Sequence, residues 1–238
     1  MNNRDLITSS GQIIPYKSLP LYSGSSVINP ENSRDNLIEF KSVMERHNVF
    51  FALTAGTVLG AVRDKDFIKH DEDIDLALYS QDKQRVIDLL PELINRGFRV
   101  VRYNRRHVIS IMRNGDYIDL CFFEKLNNEE YDCDGCMLLA EFMENTISFP
   151  FLGTHFFIPK NYEGYLTCEY GINWRTPRYD FDFNMPKWKT ICKITKEGIK
   201  NYLPDFLFFY LSKISANKQH QKYRNLFANY LEEAKNKQ

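Results

Sequence analysis

Between His70 and Leu76 the chain reads HDEDIDL, so Asp71, Glu72, Asp73 and Asp75 put four carboxylates within five positions where a β-like run begins. Side chains alternate along a strand, so Asp73 and Asp75 project to one face while Ile74 and Leu76 enter the other. Two carboxylates that converge on one point repel unless a cation neutralises them, and a hard divalent ion bound by oxygen ligands, Mg²⁺ or Mn²⁺, is the usual solution. Further along, GDYIDLCFF sets Asp119 alone among apolar neighbours in a second strand-like run. An isolated strand carboxylate beside an Asp-x-Asp strand would complete a three-carboxylate metal site.

Blander readings compete with this one. An acidic run is more often solvated surface, and an Asp-x-Asp pair on an alternating strand is more often an exposed face. The order of elements favours the metal site: a buried strand, a Gly56-Thr57 turn leading to a short helix, the Asp-apolar-Asp strand, then the apolar-Asp-apolar strand. A Ca²⁺ loop fits less well, because DEDID lacks that loop's central glycine and terminal glutamate.

Around this centre the periodicity predicts an α/β core with a mixed sheet. Leu37, Phe40, Val43 and Met44 recur at helical spacing over 31–46, and VFFALTAG reads as a buried strand that delivers Gly56 and Thr57 to a turn. Residues 74–79 are strand-like, and Val86, Leu89, Leu90, Leu93 and Ile94 stripe a helix that stops at Gly97. Three further strands are expected over 98–103, 108–112 and 117–123, the last two joined by Asn114-Gly115, a strong hairpin signal. Residues 127–135 read as a polar loop or insertion before a β-rich region over 142–158. A short helix over 162–170 ends at Gly171, and several helical pieces are expected over 188–231. The expected organisation is an N-terminal arm (1–29), a catalytic domain (30–186) and a helical C-terminal extension (187–238) packed on that domain.

Charge and cysteine content narrow the class. Lysine plus arginine, 31 residues, equals aspartate plus glutamate, also 31, so the basic excess that drives binding to a nucleic acid polymer is missing. No stretch approaches the roughly 18 apolar residues of a membrane span, and residues 1–20 lack an apolar signal core. Five cysteines, an odd number, suggest reduced thiols in a cytoplasmic protein rather than a disulfide framework. Cys133-Asp-Gly-Cys136, with Cys121 or Cys168, has a zinc-ligand spacing, but no second C-x₂-C pair or suitably spaced histidine supports it. His107 and His155 lie in strand-like contexts and read as structural. The apolar run LPDFLFFYL, ahead of the basic Lys222 and Arg224, suits either peripheral contact with the inner face of a membrane or a buried helix, and the buried helix is the better reading.

GTVLGAVRDKDFIKHDEDIDLAL, residues 56–78, resembles the signature of the LicD/fukutin-type phosphotransferases of the nucleotidyltransferase-fold superfamily. Gly56 and Thr57 match the family's turn, Arg63 its helix arginine, Asp71, Asp73 and Asp75 its acidic run, and YIDL the later strand with Asp119. YGINWRTP is similar to the family's Tyr-Gly-x-x-Trp-x-x-Pro segment, which falls on Tyr170, Gly171, Trp174 and Pro177. Lys69-His70 departs from the Pro-Trp that is common ahead of the acidic run. The resemblance, over about 37–177, implies a nucleotidyltransferase-like mixed β-sheet flanked by helices, with a mainly helical C-terminal part.

It also implies a chemistry: transfer of a phosphoalcohol such as phosphocholine from a CDP-linked donor to a sugar hydroxyl of a surface polysaccharide or lipid-linked glycan. Asp73, Asp75 and Asp119 would hold the metal, with Asp71 or Asp119 orienting or deprotonating the attacking hydroxyl. Gly56 and Thr57 would approach phosphate closely, and Arg63 is as well explained by a phosphate clamp as by a helix surface. Tyr170, Trp174, Tyr179, Phe181 and Phe183 would either line a pocket or, for most of them, pack in the core. Trp174 and Arg175, on an irregular segment after Gly171, are expected in the donor or acceptor pocket rather than in the core. Two other classes compete: transfer of a nucleotide from a triphosphate on the same fold, and a silent binding module, which an un-neutralised acidic cluster disfavours.

Overall fold

The structure is a computed structural model and describes residues 6–19, 27–177 and 203–235. A short antiparallel pair, β1 (Leu6–Ile7) and β2 (Ile13–Ile14), precedes α1 (Pro30–Arg46). Then come β3 (Ala52–Leu53), α2 (Ala55–Leu59) with a π-helical turn over Gly60–Asp64, β4 (Asp73–Tyr79), α3 (Lys83–Asn95), β5 (Arg99–Tyr103), β6 (Val108–Arg113) and β7 (Asp116–Lys125). The remainder is β8 (Glu130–Cys133), β9 (Cys136–Leu139), α4 (Ala140–Glu144), β10 (Thr146–Phe151), β11 (Thr154–Pro159), α5 (Tyr162–Tyr170) and α6 (Asp205–Lys235).

The central sheet runs β3-β4-β7-β6-β5, and the β8–β9 hairpin continues from the end of β7. Only the β4–β7 pair at its centre is parallel, so the sheet is mixed. Asn114 and Gly115 both take positive φ, 54° and 93°, the left-handed pair that a two-residue turn between β6 and β7 demands. Ile74, Leu76, Leu78, Ile118, Leu120 and Phe122, alternate residues of β4 and β7, are completely buried. They share one core with Leu37, Phe40, Val43 and Met44 of α1 and with Val86, Leu90 and Leu93 of α3.

Polar bonds fix α1 to the sheet's hairpin. The Asn29 side chain caps the helix by accepting from the N–H groups of Glu31 and Asn32, each at 3.0 Å. Asp116 accepts from the Asn29 N–H at 2.9 Å and the Ser33 hydroxyl at 3.0 Å, while Asn36 donates to the Arg113 carbonyl at 2.7 Å.

Three expectations need revision. Residues 127–135 are not simply a polar loop, because β8 lies within them and buries Asp132; its Oδ1 accepts from the Gly135 N–H at 2.7 Å and lies 2.8 Å from Nε2 of His220, a partner remote in sequence, while Arg106 pairs with Oδ2 at 3.5 Å. The region 142–158 opens inside α4 before the β10–β11 hairpin begins. From Asp205 onward the expected helical pieces are one continuous helix, and the stretch 188–202 lies outside the described residues. Over 203–211 the buried-helix reading holds for Phe208 but not for Phe206 and Tyr210, which are 77% and 63% exposed. Among the described residues no helix is long and apolar enough to cross a membrane.

One packing interaction positions the turn beneath β4. Ala55 opens α2 with φ of 45°, a conformation that a residue with a Cβ seldom adopts and that persists only where its surroundings hold it. The hydroxyl of Tyr165, a fully buried side chain of α5, accepts from the Ala55 N–H at 2.7 Å and lies 3.0 Å from Thr54 Oγ1. Tyr165→Phe leaves that N–H without its partner and should lower unfolding free energy by about 1–3 kcal/mol, read from urea denaturation. An unchanged midpoint would show that the phenol does not hold the turn.

Candidate functional site

The parallel pairing of β4 with β7 sets Asp73 opposite Tyr117 and Asp75 opposite Asp119. Residues in register share a face, so the three aspartates come together, with one carboxylate oxygen from each within 4.8 Å of the others. Across the sheet the same row continues to Ser110 on β6, opposite Asp119, and to Arg102 on β5, opposite Ser110. The Ser110 hydroxyl donates to Asp119 Oδ1 at 2.5 Å, and the Arg102 guanidinium pairs with Asp119 Oδ2 while its Nε donates to Ser110 Oγ at 2.8 Å. Each Asp119 oxygen retains a second lone pair for a cation.

The field at this face is strongly negative. Burial, then repulsion from Asp119 and Asp71, pushes the Asp73 carboxyl up to about 7. Burial raises Asp75 well above the usual carboxylate range, and Asp73, Asp119 and Asp71 add to the effect. Asp71 rises to about 6, mainly through burial. An all-oxygen set of three close carboxylates suits a hard ion such as Mg²⁺ or Mn²⁺, and such an ion would offset the repulsion among them.

Asp71 stands outside the triad, against α2. A Cβ on Gly56 would lie 2.6 Å from Asp71 Oδ2, so glycine is what admits the carboxylate there. Gly56 and Thr57 sit within α2 itself rather than in a turn ahead of it. Thr57 is buried, and its hydroxyl accepts from the Asp75 N–H at 2.9 Å, so it fixes the acidic strand.

The other nominated residues are distributed around this centre. Arg63, in the π-helical turn, donates from Nε and Nη2 to Asp64 at 2.8 Å each and reaches the Trp174 carbonyl at 3.5 Å. Tyr170 lies in the field of the acidic face: burial and the charges of Asp75, Glu169 and Asp71 push its phenol upward. Trp174 contradicts its expectation, since it is 4% exposed and belongs to the main core. The irregular segment folds back on the domain, and the indole Nε1 is buried without a hydrogen-bond partner. Arg175 stacks over the Trp174 ring at 4.2 Å and pairs with Glu163. Tyr179, Phe181 and Phe183 lie outside the described residues. Cys133 and Cys136 face each other across the β8–β9 turn, and His107 is buried, with Nδ1 accepting from the Asp134 N–H at 3.0 Å.

Sequence reasoning missed Arg102, Ser110 and Tyr117 on the acidic face and Glu169, whose charge acts on Tyr170 and whose carboxyl burial pushes up to about 7. Ser110 carries a readable signal, a polar residue midway along the apolar run VISIM.

A mixed sheet whose central parallel strands bring three aspartates together, flanked by helices, defines a nucleotidyltransferase-like domain. Residues 48–161 match the family described as "LicD/FKTN/FKRP, nucleotidyltransferase domain". It is similar to the lipopolysaccharide cholinephosphotransferase LicD of Haemophilus influenzae, with 38% identity over 50 residues, 21% of this chain and 19% of that protein. It is also similar to an uncharacterized protein of Rickettsia typhi, with 29% identity over 83 residues, 35% of this chain and 26% of that protein. The matched stretches thus span only about a fifth to a quarter of those relatives' lengths. Among solved structures, the lincomycin-bound lincosamide antibiotic adenylyltransferase LnuA aligns at a TM-score of 0.42 and 11% identity, over 58% of this chain and 84% of that one. ANT(2'')-Ia in complex with adenylyl-2''-tobramycin aligns at 0.43 and 12%, over 82% of this chain and 98% of that one.

The raised carboxyls give stability a defined pH dependence. Asp71 and Asp73 bind their protons more tightly in the folded chain than in the unfolded one, where aspartate titrates near about 3.9. Their contribution is therefore fully present below about pH 4 and is lost as pH rises through about 6 and about 7. Chelator-treated protein should melt roughly 2–8 °C lower at about pH 8 than at about pH 5, saturating Mn²⁺ should abolish the drop, and Asp73→Asn should flatten it. A metal-free melting temperature that stays level or climbs across this window would contradict the electrostatic account.

Proposed function

We propose that this chain transfers a phosphoalcohol, phosphocholine or a related group, from a CDP-linked donor to a sugar hydroxyl of a cell-surface polysaccharide or lipid-linked glycan. The match of residues 48–161 to the LicD family and the cholinephosphotransferase activity named for the Haemophilus relative support this reading. The observation that carries it is the convergence of Asp73, Asp75 and Asp119 within 4.8 Å. These three would hold Mg²⁺ or Mn²⁺, which when bound would neutralise charge on the donor's diphosphate and on the departing CMP.

The remaining work falls to the chain's own residues. In the transfer, the acceptor hydroxyl oxygen forms a bond to the phosphorus of the phosphoalcohol, the bond from that phosphorus to the CMP oxygen breaks, and the hydroxyl proton leaves. Asp71 is the better base, since it lies outside the triad while both Asp119 oxygens already accept hydrogen bonds. Thr57 fixes the backbone of Asp75, and Tyr170 contributes a wall beside the carboxylates.

The test follows products. With Mn²⁺ or Mg²⁺, CDP-alcohols should raise the melting temperature, and turnover should release CMP. Alanine at Asp73, Asp75 or Asp119 should each reduce turnover by about a hundredfold or more with the fold retained. Pyrophosphate released from a nucleoside triphosphate, with labelled nucleotide on the product, would instead establish nucleotidyl transfer. Undiminished activity in excess chelator would remove the metal from either scheme.

A further inference from the structure

Arg102 reaches the acidic face through an irregularity in β5. Its neighbour Val100 pairs with the buried Ile111, and strict alternation would put Arg102 on that same apolar side. The register shifts between Val100 and Arg102, so that Arg102 pairs with Ser110 instead. The inserted residue, Val101, packs with Met112 and Tyr117. Tyr117 and Asp119 are two positions apart on β7, so the bulge brings Arg102 onto the face that bears the carboxylates. Bulges commonly re-aim a side chain in this way beside active sites.

Once there, the guanidinium brings a positive charge to the cluster. It pairs with Asp119, holds Ser110, and acts on Asp73 and Asp75 as the charge that opposes their repulsion. Its side chain remains 29% exposed, so it is not sealed within the sheet. Arg63, by contrast, already has its guanidinium on Asp64 and the Trp174 carbonyl. Three carboxylates and one divalent ion leave one negative charge on the triad, which Arg102 offsets, so a diphosphate meets less repulsion there than the carboxylates alone would impose.

We propose that Arg102 is the residue that pairs with the phosphate oxygens of the donor, and that Asp119 holds its guanidinium in place until a divalent ion takes over the carboxylate. The planar fork that now spans Asp119 and Ser110 suits two phosphate oxygens equally well. The proposal rests on metal-dependent transfer at this site, but it holds for a CDP-linked donor and for a nucleoside triphosphate alike.

Binding measurements separate it from that reading. Titration calorimetry with Mn²⁺ alone, and with inorganic pyrophosphate in saturating Mn²⁺, is carried out on the wild-type chain, Arg102→Gln, Arg102→Lys and Arg99→Gln. Arg99 lies on the same strand and contacts Met112, so it controls for loss of charge in general. Arg102→Gln should bind Mn²⁺ as tightly as wild type or up to about tenfold more tightly, because a competing cation is gone, and pyrophosphate about tenfold to a hundredfold more weakly. Arg102→Lys should fall between, and Arg99→Gln should match wild type. Without any variant, Mn²⁺ alone should speed modification of Arg102 by phenylglyoxal, and added pyrophosphate should suppress it, both read by peptide mass mapping. Equal pyrophosphate affinity in Arg102→Gln and wild type, or modification indifferent to pyrophosphate, overturns the assignment and leaves the proposed function standing. A wild-type chain that binds neither Mn²⁺ nor pyrophosphate overturns both.

Discussion

The register of one parallel strand pair governs this molecule. Asp75 faces Asp119 across β4 and β7, and Asp73 lies two residues away on the same side. A slip of one residue in either strand would turn its carboxylates into the core and its apolar residues out. The alternate positions prevent that slip: six completely buried side chains, Ile74, Leu76, Leu78, Ile118, Leu120 and Phe122, occupy the opposite face. At about 1.5–3 kcal/mol for each large apolar side chain buried, they outweigh the burial and repulsion that push Asp73 up to about 7. The sheet is thus stable enough on one side to hold an electrostatically unfavourable arrangement on the other.

The neighbouring features serve that arrangement. Gly56 makes room for Asp71, Thr57 ties the Asp75 backbone to α2, and Tyr165 holds the strained Ala55 at the start of that helix. Ser110 and Arg102 secure Asp119 from the other side. Each acts on position, and together they leave the three carboxylates little freedom to separate. Rigidity of this kind keeps charged groups aimed at one point without reorganisation when a ligand arrives.

The acidic centre was legible in the sequence because its signal is local. Asp-x-Asp on an alternating run fixes a shared face, and Asp119 is isolated within an apolar strand, so two short segments sufficed. The Asn114-Gly115 hairpin and the α1 stripe were readable for the same reason. Arg102 was not, because alternation is the rule that would assign it and the bulge at Val101 breaks that rule. β8 was hidden by its composition: Asp132 makes the segment look like solvent-exposed loop, and its partner His220 lies on a helix that begins more than seventy residues later. Trp174 was misassigned because an irregular backbone after Gly171 suggested a presented side chain, whereas that backbone carries the indole inward.

Burial of Trp174 alters what the second motif block does. Arg63 belongs to the first block and reaches the Trp174 carbonyl in the second, so the π-helical turn behind α2 and the segment after α5 are braced against each other. Arg175 adds a lid over the indole and is itself held by Glu163 on α5. Tyr165, from the same helix, fixes the other end of α2 at Ala55. The α5 region therefore grips α2 at both ends, and α2 in turn supports Asp71 and Asp75 through Gly56 and Thr57. Tyr170 differs from the rest of the block in lying within the field of Asp75 and Asp71. Two segments about a hundred residues apart in sequence thus form one support for the carboxylates, and Trp174 is part of it through the helix it helps to hold.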